Sequence, residues 1–204
     1  MNKVNYQKEL EKIIDKNGNH KPSLMLHSCC APCSSYVLEY LSGYFDITVF
    51  YFNPNISPES EYIKRVNELK RLINEMPACH DVKLIEGRYS PDEFYNCAKG
   101  LEMEPEGGRR CLKCFRLRLR ETAETAKKAG SEYVSTTLTI SPLKNADNLN
   151  SIGREECERL GVKWLPSDFK KKNGYKRSIE LSNEYSLFRQ NYCGCIFSKR
   201  DNVI

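Results

Sequence analysis

The sequence has no long apolar run free of charge, which excludes a membrane-spanning helix. Its opening residues, MNKVNYQKELEKIIDK, read as an amphipathic charged helix. They lack the apolar core of a secretory signal, so the expected location is the cytoplasm, with no membrane partner. There is no internal repeat, no low-complexity tract and no clear linker. A chain of 204 residues without such divisions is expected to fold as one domain with a sizeable core. Residues 1–19 form an N-terminal helical extension in this reading, and residues 20–204 form a single α/β catalytic domain with cluster-binding loops.

Charge of one sign is also modest. The net charge is +5, with 29% charged and 40% apolar residues, ordinary for a soluble globular protein. This excess is compatible with a nucleic-acid partner but does not require one. Basic runs occur at Arg109-Arg110, at Arg116, Arg118 and Arg120, and at Lys170-Lys171-Lys172 with Lys176-Arg177, the last enclosing Tyr175. Such mixtures suit phosphate contact and base stacking; a basic run is more often a solvated surface, but three of them flanking the cysteine groups favour an RNA partner.

Cysteine is the abundant exception, with ten residues. A cytosolic chain does not use cysteines as staples, because the compartment keeps thiols reduced. Most are grouped: Cys29, Cys30 and Cys33; Cys111 and Cys114; Cys193 and Cys195. Grouping of this kind points to metal or redox chemistry. Cys79, Cys97 and Cys157 stand alone and read as small buried hydrophobes. His20 and His80 lie in polar surroundings and read as surface residues. His27 reads as a core histidine at a strand end, with a supporting role beside the cysteines as the alternative.

Strand-like runs at 23–27, 47–52, 82–85, 133–138 and 162–165 alternate with helix-like runs at 33–41, 58–73, 112–128 and 145–160, and a last helix is expected at 179–190. Gly161 is the expected C-cap of the fourth run. This order predicts a Rossmann-like α/β fold, a parallel sheet of about five strands flanked by helices. Active sites of such sheets lie at the carboxyl ends of the strands. The first cysteine group falls at the end of the first strand, and the stretch STTLTISP after the fourth strand should end at the same edge. The polar, Gly-rich loop 99–110 would deliver Cys111 there.

Four thiolates converging on one small volume suit a cubane iron–sulfur cluster. Cys29 and Cys30, in a turn eased by Ala31-Pro32, and Cys111 and Cys114, on one face of a helical turn, are the candidate ligands. The start of that helix favours anionic thiolates. A tetrahedral zinc site on the same four residues competes with this reading, although a Cys-Cys pair is unusual for zinc. A thioredoxin-like pairing of Cys30 with Cys33 is a further alternative, but it leaves Cys111 and Cys114 without a role. Cys193-Gly194-Cys195 reads either as a strained, redox-active pair or as further ligands or free thiols.

The segments HSCCAPCS (27–34), YFNPNI (51–56), KGLEMEPEGGRRCLKCF (99–115), TTLTISPLKN (136–145) and RQNYCGC (189–195) together resemble the QueH-type epoxyqueuosine reductases. The resemblance runs from the first strand to the last cysteine. It implies a nucleotide-hydrolase or pyrophosphatase-like fold and reduction of the epoxide of epoxyqueuosine, at the wobble position of tRNA, to queuosine. It further implies a [4Fe-4S] cluster on Cys29, Cys30, Cys111 and Cys114, and a redox-active pair at Cys193 and Cys195. An additional mononuclear iron is also implied, for which Cys33 is the nearest candidate ligand. The electron donor is unidentified. The Cys-Cys and distant Cys-x-x-Cys arrangement is also similar to the cluster motif of sulfonucleotide reductases. However, Ser28-Cys29-Cys30-Ala31-Pro32-Cys33 is no phosphate-binding loop. A zinc-stabilised RNA-binding module without catalysis is the alternative of a different class.

Overall fold

Leu24, Met25 and Leu26 carry the first strand, and all three are fully buried. Their side chains alternate between the two faces: Leu24 and Leu26 enter one apolar core, Met25 the other. A strand buried on both faces reads as a continuous apolar run and belongs to a parallel sheet covered on both sides. A computed structural model describes residues 4–198 and has this architecture. Residues 1–3 and 199–204, parts of the expected extension and domain, lie outside the described residues.

The strands are β1 (Ser23–His27), β2 (Asp46–Tyr51), β3 (Lys83–Glu86), β4 (Tyr133–Thr136) and β5 (Lys163–Trp164). All pair in parallel, in the order β3-β2-β1-β4-β5. The five expected strands are therefore present, the fourth and fifth each two residues shorter, the fourth because Thr137–Ile140 turns into a 3-10 helix. The helices are α1 (Tyr6–Asn17), α2 (Ala31–Leu41), α3 (Glu59–Glu75), α4 (Pro91–Ala98), α5 (Arg109–Ala129), α6 (Ala146–Glu158) and α7 (Gly174–Glu184). Helix α4 is not among the expected runs; its proline at the first turn and acidic start are its sequence signals. Helix α7 begins five residues before its expected start and stops six before its expected end.

Helices α1, α2 and α3 pack on one face of the sheet, with Leu10 of α1 fully buried in that core. Helices α5 and α6 cover the other face through Phe115, Leu119, Leu149 and Ile152. Beyond α6, Gly161 adopts φ +72°, and the Val162 N–H returns to the Cys157 carbonyl at 3.1 Å. This is the left-handed exit expected of a helix-ending glycine. Gly153 of α6 lies against Trp164, where an added Cβ would come within 2.4 Å of the indole. A third, smaller apolar cluster ties α4 and α5 to the C-terminal segment through Phe94, Cys114, Cys195 and Phe197.

Strand β1 has β2 on one side and β4 on the other, so the chain crosses outward in both directions from it. The carboxyl ends of β1 and β4 flank this switch point, where open α/β sheets leave a crevice. Among the described residues, no helix is long and apolar enough to cross a membrane.

Candidate thiol-lined active site

The first cysteine group stands at that crevice. Cys30 is the N-cap of α2 and Cys33 lies in the helix's first turn. The thiol sulfurs of Cys29, Cys30 and Cys33 all lie within 4.8 Å of one another. Cys29 Sγ is 3.8 Å from Cys30 Sγ and 3.7 Å from Thr137 Oγ1, in the turn after β4. Hydrogen bonds from the Cys30 and Cys33 thiols hold the Cys29 thiol well below its usual range, against burial and with help from Lys144 and Arg118. The proton donated to Cys29 pushes Cys33 up to about 12 and raises Cys30. Negative charge is thus concentrated on one sulfur of the three.

The second group opens α5. Its loop is held by Arg110, a buried guanidinium whose Nη1 donates to the carbonyls of Leu101, Glu102 and Glu104. Glu104 also accepts from the Arg109 backbone N–H at 3.0 Å. The loop returns the Gly107 N–H to Cys111 Sγ at 3.3 Å. Burial raises the Cys111 thiol, which this N–H opposes, and burial pushes Cys114 up to about 12. The third group lies on the C-terminal segment, which is pinned by the Ser57 N–H donating to the Gly194 carbonyl at 3.0 Å and by Arg65 Nη1 donating to the Cys193 carbonyl at 3.3 Å. A hydrogen bond from Cys195 holds the Cys193 thiol well below its usual range, again with Lys144 helping, and Cys195 is raised in return.

These groups line two adjoining cavities. The larger, about 310 Å³, is lined by Cys29, Cys30, Cys33 and Cys193. The smaller, about 90 Å³, is lined by Cys111, Cys114, Cys193 and Cys195. Cys193, Arg118, Lys144, Glu106 and Leu143 line both. Of the four expected ligands, Cys29 and Cys30 line the larger cavity and Cys111 and Cys114 the smaller. The tight sulfur triad includes Cys33, while Cys111 and Cys114 sit across the shared wall.

Sequence reasoning missed the polar groups that organise this wall. Arg118 Nε donates to His27 Nε2 at 3.3 Å, and Arg118 Nη2 donates to Asn53 Oδ1. Asn53 in turn donates to the Ser28 carbonyl at 2.8 Å, fixing the start of the cysteine turn. His27 Nδ1 is 2.9 Å from Thr136 Oγ1, a contact set by the sheet register, which pairs these two residues. His27 is fully buried; burial, with Arg118 beside it, lowers its pKa to about 3. It is a neutral core histidine, and both ring nitrogens have partners. A signal for Arg118 was available: Cys111, Cys114 and Arg118 follow i, i+3, i+7 spacing and share one helix face.

The basic runs are largely occupied within the chain. Arg116 and Arg120 pair with Glu156, and Arg116 also with Glu155. Arg177 pairs with Glu39 at 2.6 Å, and Lys172 with Glu11. Lys170 donates to the Thr139 and Lys144 carbonyls and pairs with Asp168. The larger cavity is also lined by Tyr175, Arg189, Gln190, Asn191 and Tyr192, with Arg189 over the Tyr175 ring at 5.5 Å.

A parallel α/β sheet that gathers seven thiols in two adjoining cavities, with Arg118 and Lys144 on the wall they share, defines a cysteine-rich α/β protein with a site that could hold a metal. Comparison with known proteins narrows the class. The family model for epoxyqueuosine reductase QueH matches residues 24–201. Epoxyqueuosine reductase QueH of Staphylococcus epidermidis is 46% identical over 202 residues, covering 96% of this chain and 85% of that protein. The Streptococcus pyogenes protein of the same name is 43% identical, covering 97% of this chain and 79% of its own length. That of Thermotoga maritima is 37% identical over 179 residues, covering 86% and 90%. The chain belongs to the epoxyqueuosine reductase QueH family.

Proposed function

We propose that this protein is a cytoplasmic reductase that converts the epoxide of epoxyqueuosine, at the wobble position of tRNA, into the alkene of queuosine. The observation that carries the reading is the convergence of Cys29, Cys30, Cys33, Cys111, Cys114, Cys193 and Cys195 on two joined cavities at the switch point, in a chain of this family.

The donor set fits an iron–sulfur group. Its tight triad is all sulfur, the nearby imidazole of His27 is engaged on both nitrogens, and Arg118 and Lys144 stand on the shared wall beside one carboxylate, Glu106. Soft thiolates select clusters of this kind, and the cations offset their charge. Cys29, Cys30, Cys111 and Cys114 would hold a [4Fe-4S] cluster, leaving Cys33 as a donor to an additional iron. Such a cluster supplies one-electron transfer when bound.

The remaining chemistry belongs to the side chains. Removing an epoxide oxygen as water takes two electrons and two protons, and the Cys193–Cys195 pair stores the two electrons. Gly194, at φ +99°, gives the segment the freedom to bring these sulfurs together. An external donor then restores the dithiol. Tyr175 and Tyr192 offer rings, and Arg189 a cation, to an RNA strand entering the larger cavity.

The test is the iron, zinc and acid-labile sulfide content of anaerobically purified protein, followed by incubation with epoxyqueuosine-containing tRNA and dithionite. About four irons and four sulfides with conversion to queuosine are expected, and iron beyond four supports the additional site. Zinc without sulfide, and no conversion, would sink this reading in favour of a zinc-stabilised RNA-binding module.

A further inference from the structure

Of the arginines at positions 109, 110, 116, 118 and 120, Arg110 and Arg118 make no ion pair among the described residues, and of these two only Arg118 is held by hydrogen bonds to side chains. Arg109, Arg116 and Arg120 pair with carboxylates, and Arg110 clamps loop carbonyls. Arg118 is 3% exposed and makes no ion pair among the described residues. Its partners there are an imidazole and a carboxamide, both neutral. Its hydrogen bonds therefore offset none of its charge; the anionic groups near it are the thiols, of which it helps hold Cys29 low, and Glu106, which lines the same wall. Two of its five N–H donors are used in these bonds, and the residue lines both cavities where they adjoin.

We propose that Arg118 is a catalytic residue, donating hydrogen bonds to the epoxide oxygen as negative charge develops on it, and that His27 and Asn53 are positioning residues that aim its guanidinium. The proposal rests on the reductase reading above. In the overall step two C–O bonds break, one C=C bond forms, and the oxygen leaves as water. The two electrons come from the Cys193–Cys195 pair, which closes to a disulfide; one proton comes from the Cys195 thiol and the other from solvent. Arg118 gives up no proton, since guanidinium stays charged. It supplies preorganised donors where charge appears, the usual source of large electrostatic rate effects.

The positioning is specific. Arg118 Nε–H needs a lone pair on His27 Nε2, so the ring proton sits on Nδ1 and donates to Thr136 Oγ1. Thr136 Oγ1 also accepts the Leu138 N–H at 3.1 Å, which fixes that hydroxyl. Asn53 takes the other edge of the guanidinium and is anchored on the Ser28 carbonyl. The three supports come from the ends of β1 and β4 and the segment after β2, so the sheet itself orients the cation.

The experiment is single-turnover reduction of epoxyqueuosine tRNA by pre-reduced enzyme, with iron and sulfide content and tRNA affinity measured in parallel. Arg118→Met is expected to keep metal content and tRNA affinity within about twofold while losing about 10²–10³ in rate, the loss typical of a missing oxyanion donor. His27→Leu should lower the rate without changing the KM for tRNA. His27→Gln, whose carboxamide oxygen accepts from Arg118 Nε, should restore most of it, which a purely structural role would not produce. Wild-type rates in both Arg118→Met and His27→Leu would overturn the proposal, as would rate losses that follow iron content in proportion. If wild-type enzyme itself left the tRNA unreduced, the reductase reading would fall and this role with it. Conversion by the wild type with unaffected variants would remove the role alone.

Discussion

Asn53→Ala isolates the joint between the cysteine turn and α5. Asn53 is fully buried; its Nδ2 donates to the Ser28 carbonyl at 2.8 Å, and its Oδ1 accepts from Arg118 Nη2. Truncation orphans a buried carbonyl and a buried guanidinium N–H together. A hydrogen bond to a charged group contributes about 1.5–3 kcal/mol and a neutral one about 1 kcal/mol, so the summed cost is about 2.5–4 kcal/mol. With a urea slope of about 3 kcal/mol/M, the unfolding midpoint falls by about 1 M. The assay is anaerobic urea unfolding followed by far-UV circular dichroism, at matched metal content, because bound metal shifts stability by mass action. Arg118→Met removes one of the two orphans beforehand. The double variant should therefore be less damaged than the sum of the singles, by about 1.5–3 kcal/mol. Additivity within about 0.5 kcal/mol, or a midpoint shift under about 0.2 M, would refute the joint.

Glu156 is 1% exposed and pairs with Arg116, Arg120 and Arg159. Burial raises its carboxyl, but hydrogen bonds from Arg120 and Arg116 outweigh this and hold it below 4.5. Its contribution is therefore full above pH 4.5 and lost as pH falls through the lower folded value. Thermal melts of Glu156→Gln should lie below wild type at pH 7, by the equivalent of about 1–2 kcal/mol given the exposed arginines, and converge with it in acid; parallel curves would count against the network. Gly153→Ala gains about 1 kcal/mol of helix propensity but drives a Cβ to 2.4 Å from the Trp164 ring, so a net loss of about 1–2 kcal/mol is expected, and an unchanged or raised Tm would contradict it. Gly194→Ala places a Cβ 3.1 Å from Arg65 Nη1 at φ +99°; thiol trapping should show slower closure of the Cys193–Cys195 pair at unchanged iron content, and wild-type closure rates would remove the glycine's role. Lys170→Ala should lower the melting temperature, because Lys170 ties the Thr139 and Lys144 carbonyls together; a selective loss of tRNA affinity at unchanged stability would instead restore it as an RNA contact.

The sheet was legible because its signal is local. Leu24-Met25-Leu26 is apolar without interruption, and only a strand covered on both faces wants that. The turn Cys29–Cys33 follows β1 directly, so its placement at the carboxyl edge came with the fold. What stayed hidden required two strands at once. Nothing in the local sequence pairs His27 with Thr136; they meet because β1 and β4 adjoin in that register. Likewise Asn53 reaches Ser28 only because β2 lies beside β1.

The basic residues give the same lesson about charge. Arg116, Arg118 and Arg120 look like one RNA-facing run in sequence, yet successive helical residues point 100° apart. Arg116 and Arg120 fall four apart, over Glu156 of α6. Arg118 falls between them on the opposite side, with Cys111 and Cys114 below it. Periodicity alone therefore separates the one guanidinium turned toward the sulfurs from its two neighbours. It does not reveal that the guanidinium there makes no ion pair among the described residues, since its hydrogen-bond partners depend on what β1 and the segment after β2 present: a neutral imidazole and a carboxamide. The cation at the junction of the cavities is a tertiary property, made by three neutral supports that no single stretch of the chain contains.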